Sequence, residues 1–125
     1  MEGYKVTIKW SSKELSARER IILKDTSNAT KLDTVANGAN EVVITVDQYA
    51  VLSIHNEKSD NKDYENYIIV DTDGNKYVTG SPSFWDAFSD IMDEMSGEEE
   101  KPTISVYKMD SKNYKGKQFL TCSLI

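Results

Sequence analysis

The chain opens on a strict alternation. Tyr4, Val6, Ile8 and Trp10 fall on one side and Lys5, Thr7 and Lys9 on the other, which reads as a half-buried strand. Residues 18–24 (Arg-Glu-Arg-Ile-Ile-Leu-Lys) read as a second, less regular strand. Residues 26–40 are rich in Ser, Thr, Asn, Asp and Gly and read as loop or short irregular structure. Two apolar runs follow, 41–46 and 50–56. The Asp47-Gln48-Tyr49 between them is the interruption expected of a bulge or sharp bend in one long strand. A polar loop at 57–63 leads into a strand at 64–70. A tight turn at 71–75, with Gly74 free to take positive φ, then returns the chain as a paired strand at 76–79.

The period then changes to that of a helix. Ser81 and Pro82 offer an N-cap with proline at the first helical position, and Ser83 with Asp86 offers a capping box one step later. Phe84, Trp85, Phe88, Ile91, Met92 and Met95 share one arc, with Asp86, Asp90, Asp93 and Glu94 opposite. Gly97 ends the helix. Pro102 opens a strand with Ile104 and Val106 on one face and Thr103, Ser105 and Tyr107 on the other. A basic loop at 110–117 precedes a last strand at 119–125, with Leu120, Cys122 and Leu124 facing one way. Trp10 and Trp85 share faces with apolar neighbours, which places both in the core. The order of elements predicts a mainly β fold. It is a small five-stranded OB-like barrel with one amphipathic helix between late strands and a closing C-terminal hairpin, in a single domain over 1–125. An open sheet carrying one helix is the alternative.

Composition narrows the classes. The 125 residues suffice for one core. No apolar run approaches the roughly 18 residues of a membrane span, and the first residues are not a signal peptide, so a soluble intracellular protein is expected. One Cys and one His cannot build a structural zinc site, and the lone thiol fits a reducing compartment. The formal net charge is −6, unevenly spread: +3 over residues 1–24, −4 over 25–57, −8 over 58–102 and +3 over 103–125. Basic chain ends and an acidic middle allow one positive face on an acidic protein.

Candidate chemistry is sparse. Asp71-x-Asp73-x-Asn75 starts like a calcium loop, but its glycine, Gly74, falls at the fourth position rather than the sixth and Pro82 stands at the twelfth, where an acid is needed, so a hairpin turn is expected and no metal. Asp60, Asp63 and Glu65, with Asp71 and Asp73, are paired carboxylates without a base partner, which argues against a hydrolase. His55 and Cys122 have nothing that orients them as a nucleophilic pair, and Cys122 reads as a small buried residue. Glu98 to Glu100 extend the acidic helix face as a solubilising loop or a protein-docking patch. No catalytic residue, cofactor or metal is expected. The most informative feature is the closing hairpin. Lys108, Lys112, Lys115 and Lys117 bracket Tyr107, Tyr114 and Phe119, and the Tyr107 and Phe119 rings fall on the face away from the apolar one. Cations for phosphates beside flat rings for unstacked bases are what a single strand requires.

From residue 64 onward the sequence resembles the small single-stranded DNA-binding proteins of tailed phages that infect Gram-positive bacteria. The resemblance rests on elements in order. They are the turn Thr72-Asp73-Gly74 followed by Tyr77, the helix from Ser83 to Met95 with Asp90 and Asp93, the strand from Thr103 to Tyr107, and Ser111-Lys112 leading to Lys115-Gly116-Lys117. Upstream, Asp47-Gln48-Tyr49 is similar too; the first 40 residues match in general character only. The resemblance implies an oligonucleotide-binding barrel that coats single-stranded DNA without sequence choice, in the bacterial host cytoplasm, during phage replication or recombination. It implies stacking by Tyr49 and Tyr77, with Tyr64 beside them. The resemblance departs at the end of the sequence, Ser123-Leu124-Ile125, so partner recruitment through the acidic-tipped tail of the familiar bacterial version is not expected.

Residues and resemblance together predict a non-enzymatic protein with a groove lined by Lys5, Lys9, Arg18 and Arg20 from the N-terminal strands and by Lys108, Lys112, Lys115 and Lys117 from the hairpin. Tyr49, Tyr77 and Tyr114 are the stacking platforms, with Tyr64 and Phe119 as further rings. The acidic helix faces away from DNA. The expected partners are single-stranded DNA and phage replication or recombination proteins, with no membrane; an oligomer is compatible. Two other readings exist: an acidic DNA mimic that inhibits a host nucleic-acid enzyme, supported by the −8 segment, and an assembly component with no DNA role.

Overall fold

The computed structural model describes residues 3–36, 40–113 and 115–125. Among them are seven strands and three helices: β1 (Tyr4–Ser11), α1 (Ala17–Lys24), β2 (Thr30–Lys31), α2 (Leu32–Val35), β3 (Val42–Asn56), β4 (Asp63–Asp71), β5 (Lys76–Thr79), α3 (Pro82–Met95), β6 (Thr103–Asp110) and β7 (Gln118–Leu124). The fold is mainly β, as expected, but with seven strands rather than five and three helices rather than one. None of these helices is long and apolar enough to cross a membrane.

The fifteen-residue β3 is the spine. Its first residues pair antiparallel with β6, Val42 opposite Val106 and Thr45 opposite Thr103. From Val46 it pairs with β4, and from Ala50 also with β1. Val46 N donates to Pro102 O at 2.9 Å while Thr72 N donates to Thr45 O at 3.1 Å, so β6 and β4 lie on opposite edges of β3. β1 and β6 therefore share the other edge end to end. The β3–β4 ladder slips between Val46 and Gln48. This is the irregularity that Asp47-Gln48-Tyr49 predicted in one long strand, and a bulge there adds bend and twist. The sheet runs β2-β5-β4-β3-β6-β7 and curls into a half-barrel.

Alternation along β3 divides the apolar residues between two cores. On one side, Phe84, Phe88 and Met92 of α3 pack with Ile44, Val46, Ile69, Ile104, Val106, Leu120 and Cys122. On the other, Leu23 of α1 packs with Ala50, Leu52, Ile54, Ile68, Val70 and Val78. A strand covered on both sides reads as a continuous apolar run, as 50–52 does before Ser53 faces out.

α1 corrects the strand expected at 18–24. Glu19 N donates to Ser16 Oγ at 3.2 Å and Ser16 N donates to Glu19 Oε1 at 3.0 Å, a reciprocal capping box written as Ser16-x-x-Glu19. Only Leu23 is buried, and Ile21 and Ile22 are 68% and 53% exposed. That weak amphipathicity hid the helix. The segment 26–40, expected as loop or short irregular structure, holds the two-residue β2, parallel to β5, and the single turn α2, with Leu32 and the capping Ala36 buried.

α3 starts at Ser81, whose Oγ accepts from Phe84 N at 3.2 Å, with Pro82 next. The second capping box does not form. Ser83 Oγ donates instead to Leu120 O at 2.8 Å and ties α3 to β7. Gly97, at φ +95°, follows the helix where few other residues would sit comfortably.

The 71–75 turn is organised by Asp71. Its carboxylate accepts from Asp73 N (2.9 Å), Asn75 N (2.8 Å), Asn75 Nδ2 (3.1 Å) and Tyr77 OH (3.3 Å). Burial works against the charged form, but these donors outweigh it and hold the carboxyl below its ordinary range. The acceptors of Asp71 are thus spent within the hairpin, in line with a turn rather than a calcium loop. Cys122 is buried in the α3-side core, and burial pushes its thiol up to about 12. The expected result is no reaction with a thiol reagent at pH 8 in the native protein and full reaction in denaturant, since the thiolate is the nucleophile. Rapid native labelling, followed by mass spectrometry, would contradict this burial.

Candidate nucleic-acid interface

α3 covers only part of its side of the sheet. Beyond it, the registers line up residues in rows across β1, β3 and β4. Lys5 lies opposite His55, which lies opposite Asp63; Thr7 lies opposite Ser53, which lies opposite Glu65. β1 slips in register between Ile8 and Trp10. Val6 and Ile8 therefore pack into the α1-side core, whereas Trp10 lies opposite Val51 and reaches the other side, against Tyr49. This corrects the expectation that Trp10 is a core residue: it is 48% exposed.

Trp10 leads an aromatic cluster. Its ring centroid is 5.4 Å from that of Tyr49. Tyr49 meets Phe88 edge-on at 5.1 Å and Trp85 at 6.1 Å. Trp85 is only partly buried and stacks on Tyr67 at 4.6 Å with 6° between planes. Trp10, Tyr49, Val51, Trp85, Ser89, Met92 and Asp93 line an open cleft of about 280 Å³. Burial, and then Asp93, push the Tyr49 hydroxyl upward, so it stays a neutral ring. The cleft is ring-lined and open on one side, so a planar base can enter it, but Ser89 and Asp93 put one wall on the acidic helix, which was expected to face away from DNA.

The charges beside the cleft are mostly matched. Lys9 Nζ donates to Glu65 Oε2 at 2.6 Å. His55 bridges two acids, Nδ1 to Asp63 at 2.7 Å and Nε2 to Glu57 at 2.6 Å, and Glu57 also holds Lys62 at 3.1 Å. Lys13 and Lys101 both meet Asp47, and their bonds hold its carboxyl low. Lys5 is exposed. The hydrogen bond to Asp63 and then that to Glu57 raise His55 above its ordinary 6.5. A raised histidine adds stability that is complete below about pH 6.5 and fades as pH climbs through its native pKa. An NMR titration of the ring is expected to give a midpoint above 6.5, returning toward 6.5 in Glu57→Gln/Asp63→Asn. A wild-type midpoint at or below 6.5 would contradict the bridge.

Of the residues singled out by sequence, Lys5, Lys9 and Tyr49 share this side of the sheet: Lys9 precedes Trp10, Tyr49 meets the Trp10 ring, and Lys5 stands farther along β1 in the row of His55. Arg18 and Arg20 belong to a helix rather than a strand. They lie exposed on the opposite side of the sheet, with Arg20 Nη1 donating to Leu15 O at 2.9 Å. Tyr64, opposite Ile54, packs against the α1-side core. Tyr77 packs against the α3-side core with its hydroxyl on Asp71. Lys108, whose Nζ donates to Asp33 O at 2.7 Å, lies past the first residue of β3. Lys112, Lys115 and Lys117 are exposed in the hairpin loop beyond it. Phe119, 37% exposed, faces out opposite Met109. Tyr114 lies outside the described residues. The two basic chain ends thus sit at opposite ends of β3 rather than side by side.

Of the rings in this cluster, Trp10 and Trp85 were expected in the core and are instead half exposed and partly buried, and Tyr67 was not singled out. A register slip in β1 leaves no mark in an apolar pattern. Trp85 did carry a sign, because it sits about 100° round the helix from Phe84, at the margin of the apolar arc.

A family model described as phage single-stranded DNA-binding protein, of the Phi29 type, matches residues 5–125. No curated protein and no solved structure matches the chain.

Proposed function

The chain belongs to the phage single-stranded DNA-binding protein family, and from that premise we propose where and how it grips a strand. It binds single-stranded DNA in phage replication. The proposed path crosses the α3 side of β1, β3 and β4, with bases in the Trp10–Tyr49–Trp85 cleft and phosphates over Lys5 and Lys9. The half-exposed Trp10 ring, 5.4 Å from Tyr49 and one residue from Lys9, is the observation that carries this reading. Rings offer every base the same π-face, which accounts for binding without sequence choice. Lys112, Lys115 and Lys117, with Phe119, form a second contact at the far end of β3 that longer strands reach; Lys108 lies beside it. Arg18, Arg20, Tyr64 and Tyr77 are peripheral to both.

On this reading the protein is not an enzyme. It works in the cytoplasm of an infected Gram-positive cell, on an OB-type half-barrel, beside other replication or recombination proteins. The reading as an acidic DNA mimic loses its footing with the family membership.

Oligo-dT is expected to quench tryptophan fluorescence, with duplex DNA of equal length far less effective. Affinity is expected to fall with salt by about 0.7 in log–log slope for each phosphate held. An unchanged tryptophan signal on binding would move the site elsewhere.

A further inference from the structure

The proposed face holds an anion of its own. Lys9 is the cation next to Trp10 in the chain, and its ammonium is taken by Glu65 at 2.6 Å. Glu65 does not stand in a remote loop. It lies on β4 opposite Ser53, one row from the Val51–Tyr67 pair, on the side of the sheet where the rings are open. A carboxylate and a phosphate oxygen make the same demand on a lysine: an acceptor carrying negative charge. Both cannot crowd one ammonium without repelling each other.

We infer that Glu65 is a built-in competitor for the DNA phosphate at Lys9, exchanged for it on binding, and so a determinant of affinity and salt dependence. The inference rests on the proposed strand path. In the free protein Lys9 is already neutralised. When a phosphate takes Lys9, the strand releases its condensed cation while the bared Glu65 attracts one, and the salt dependence at this contact nearly cancels. The same carboxylate repels every phosphate that Lys9 does not hold. The face therefore grips weakly at this contact.

The test is short oligo-dT binding, read by anisotropy of a labelled oligomer across a salt series, in wild type, Glu65→Gln, Lys9→Gln, the double variant and Trp10→Ala. Glu65→Gln is expected to tighten binding about two- to fivefold, the scale of one exposed ion pair, and to steepen the salt slope by about 0.7. In the Lys9→Gln background the gain should fall to half or less, because there is no ammonium left to free. Glu65→Gln binding no tighter than wild type overturns the inference. So does an equal gain with and without Lys9, which would reduce Glu65 to a general repulsion. Trp10→Ala separates the two levels. If it weakens binding while Glu65→Gln does nothing, only the inference falls. If it leaves binding intact, the strand path fails and takes the inference with it.

Discussion

Trp10→Ala is expected to weaken oligo-dT binding roughly five- to 150-fold, the effect of losing one stacked base at about 1–3 kcal/mol. The ring stands at the open end of the aromatic cluster and is 48% exposed, so its loss subtracts binding surface more than it opens the core. Its closest ring is Tyr49, at 5.4 Å, and Tyr49 keeps its packing on Phe88 and Trp85 in the variant. The thermal midpoint should accordingly drop by only a few degrees, on the order of 1 kcal/mol. Trp10→Phe retains a flat ring and should recover most of the affinity. Titrations with anisotropy of a labelled dT oligomer measure all three without relying on the tryptophan signal. Equal affinity in wild type and Trp10→Ala would remove the cleft from the binding path, whatever the family membership requires elsewhere on the protein.

The sequence made some elements plain and hid others for identifiable reasons. β3, β4, β5, α3 and the closing hairpin follow from apolar patterning and turn residues. α3 in particular has both a proline at its first position and a wide apolar arc. The kink in β3 was legible because Asp47-Gln48 breaks an apolar run. α1 was misread although its capping box is explicit in Ser16 and Glu19, because an adjacent Ile-Ile-Leu looks like a strand when only one of the three is buried. The site was harder still. Lys5, Lys9 and Tyr49 were picked out on charge, alternation and resemblance. The cleft beside Lys9 and Tyr49 depends on a one-residue slip in β1 that moves Trp10 across the sheet, and register is set by tertiary pairing rather than by the strand itself. The positioning of the hairpin lysines depends in the same way on which edge of β3 receives β6.

Phe88→Ala is expected to cost about 3–5 kcal/mol and to abolish the cleft with the stability. Phe88 is fully buried and joins the core to the site: it lies 5.5 Å from Phe84 beneath it, 5.1 Å from Tyr49 and 5.3 Å from Trp85 above it. Removing the ring leaves a cavity under the two residues that wall the cleft. They can fill it only by tilting away from the geometry that meets a base. Affinity should therefore fall even under conditions where the variant is fully folded, and that distinguishes it from simple unfolding. Phe88→Leu, which keeps apolar volume but not the edge-on contact with Tyr49, is the informative companion. It is expected to restore most of the denaturation midpoint and less of the DNA affinity. If Phe88→Leu regained both in equal measure, the cleft would need only volume beneath it. If folded Phe88→Ala bound dT like wild type, Tyr49 and Trp85 would not depend on the core for their position. Paired denaturant melts and oligo titrations at 10 °C decide among these outcomes.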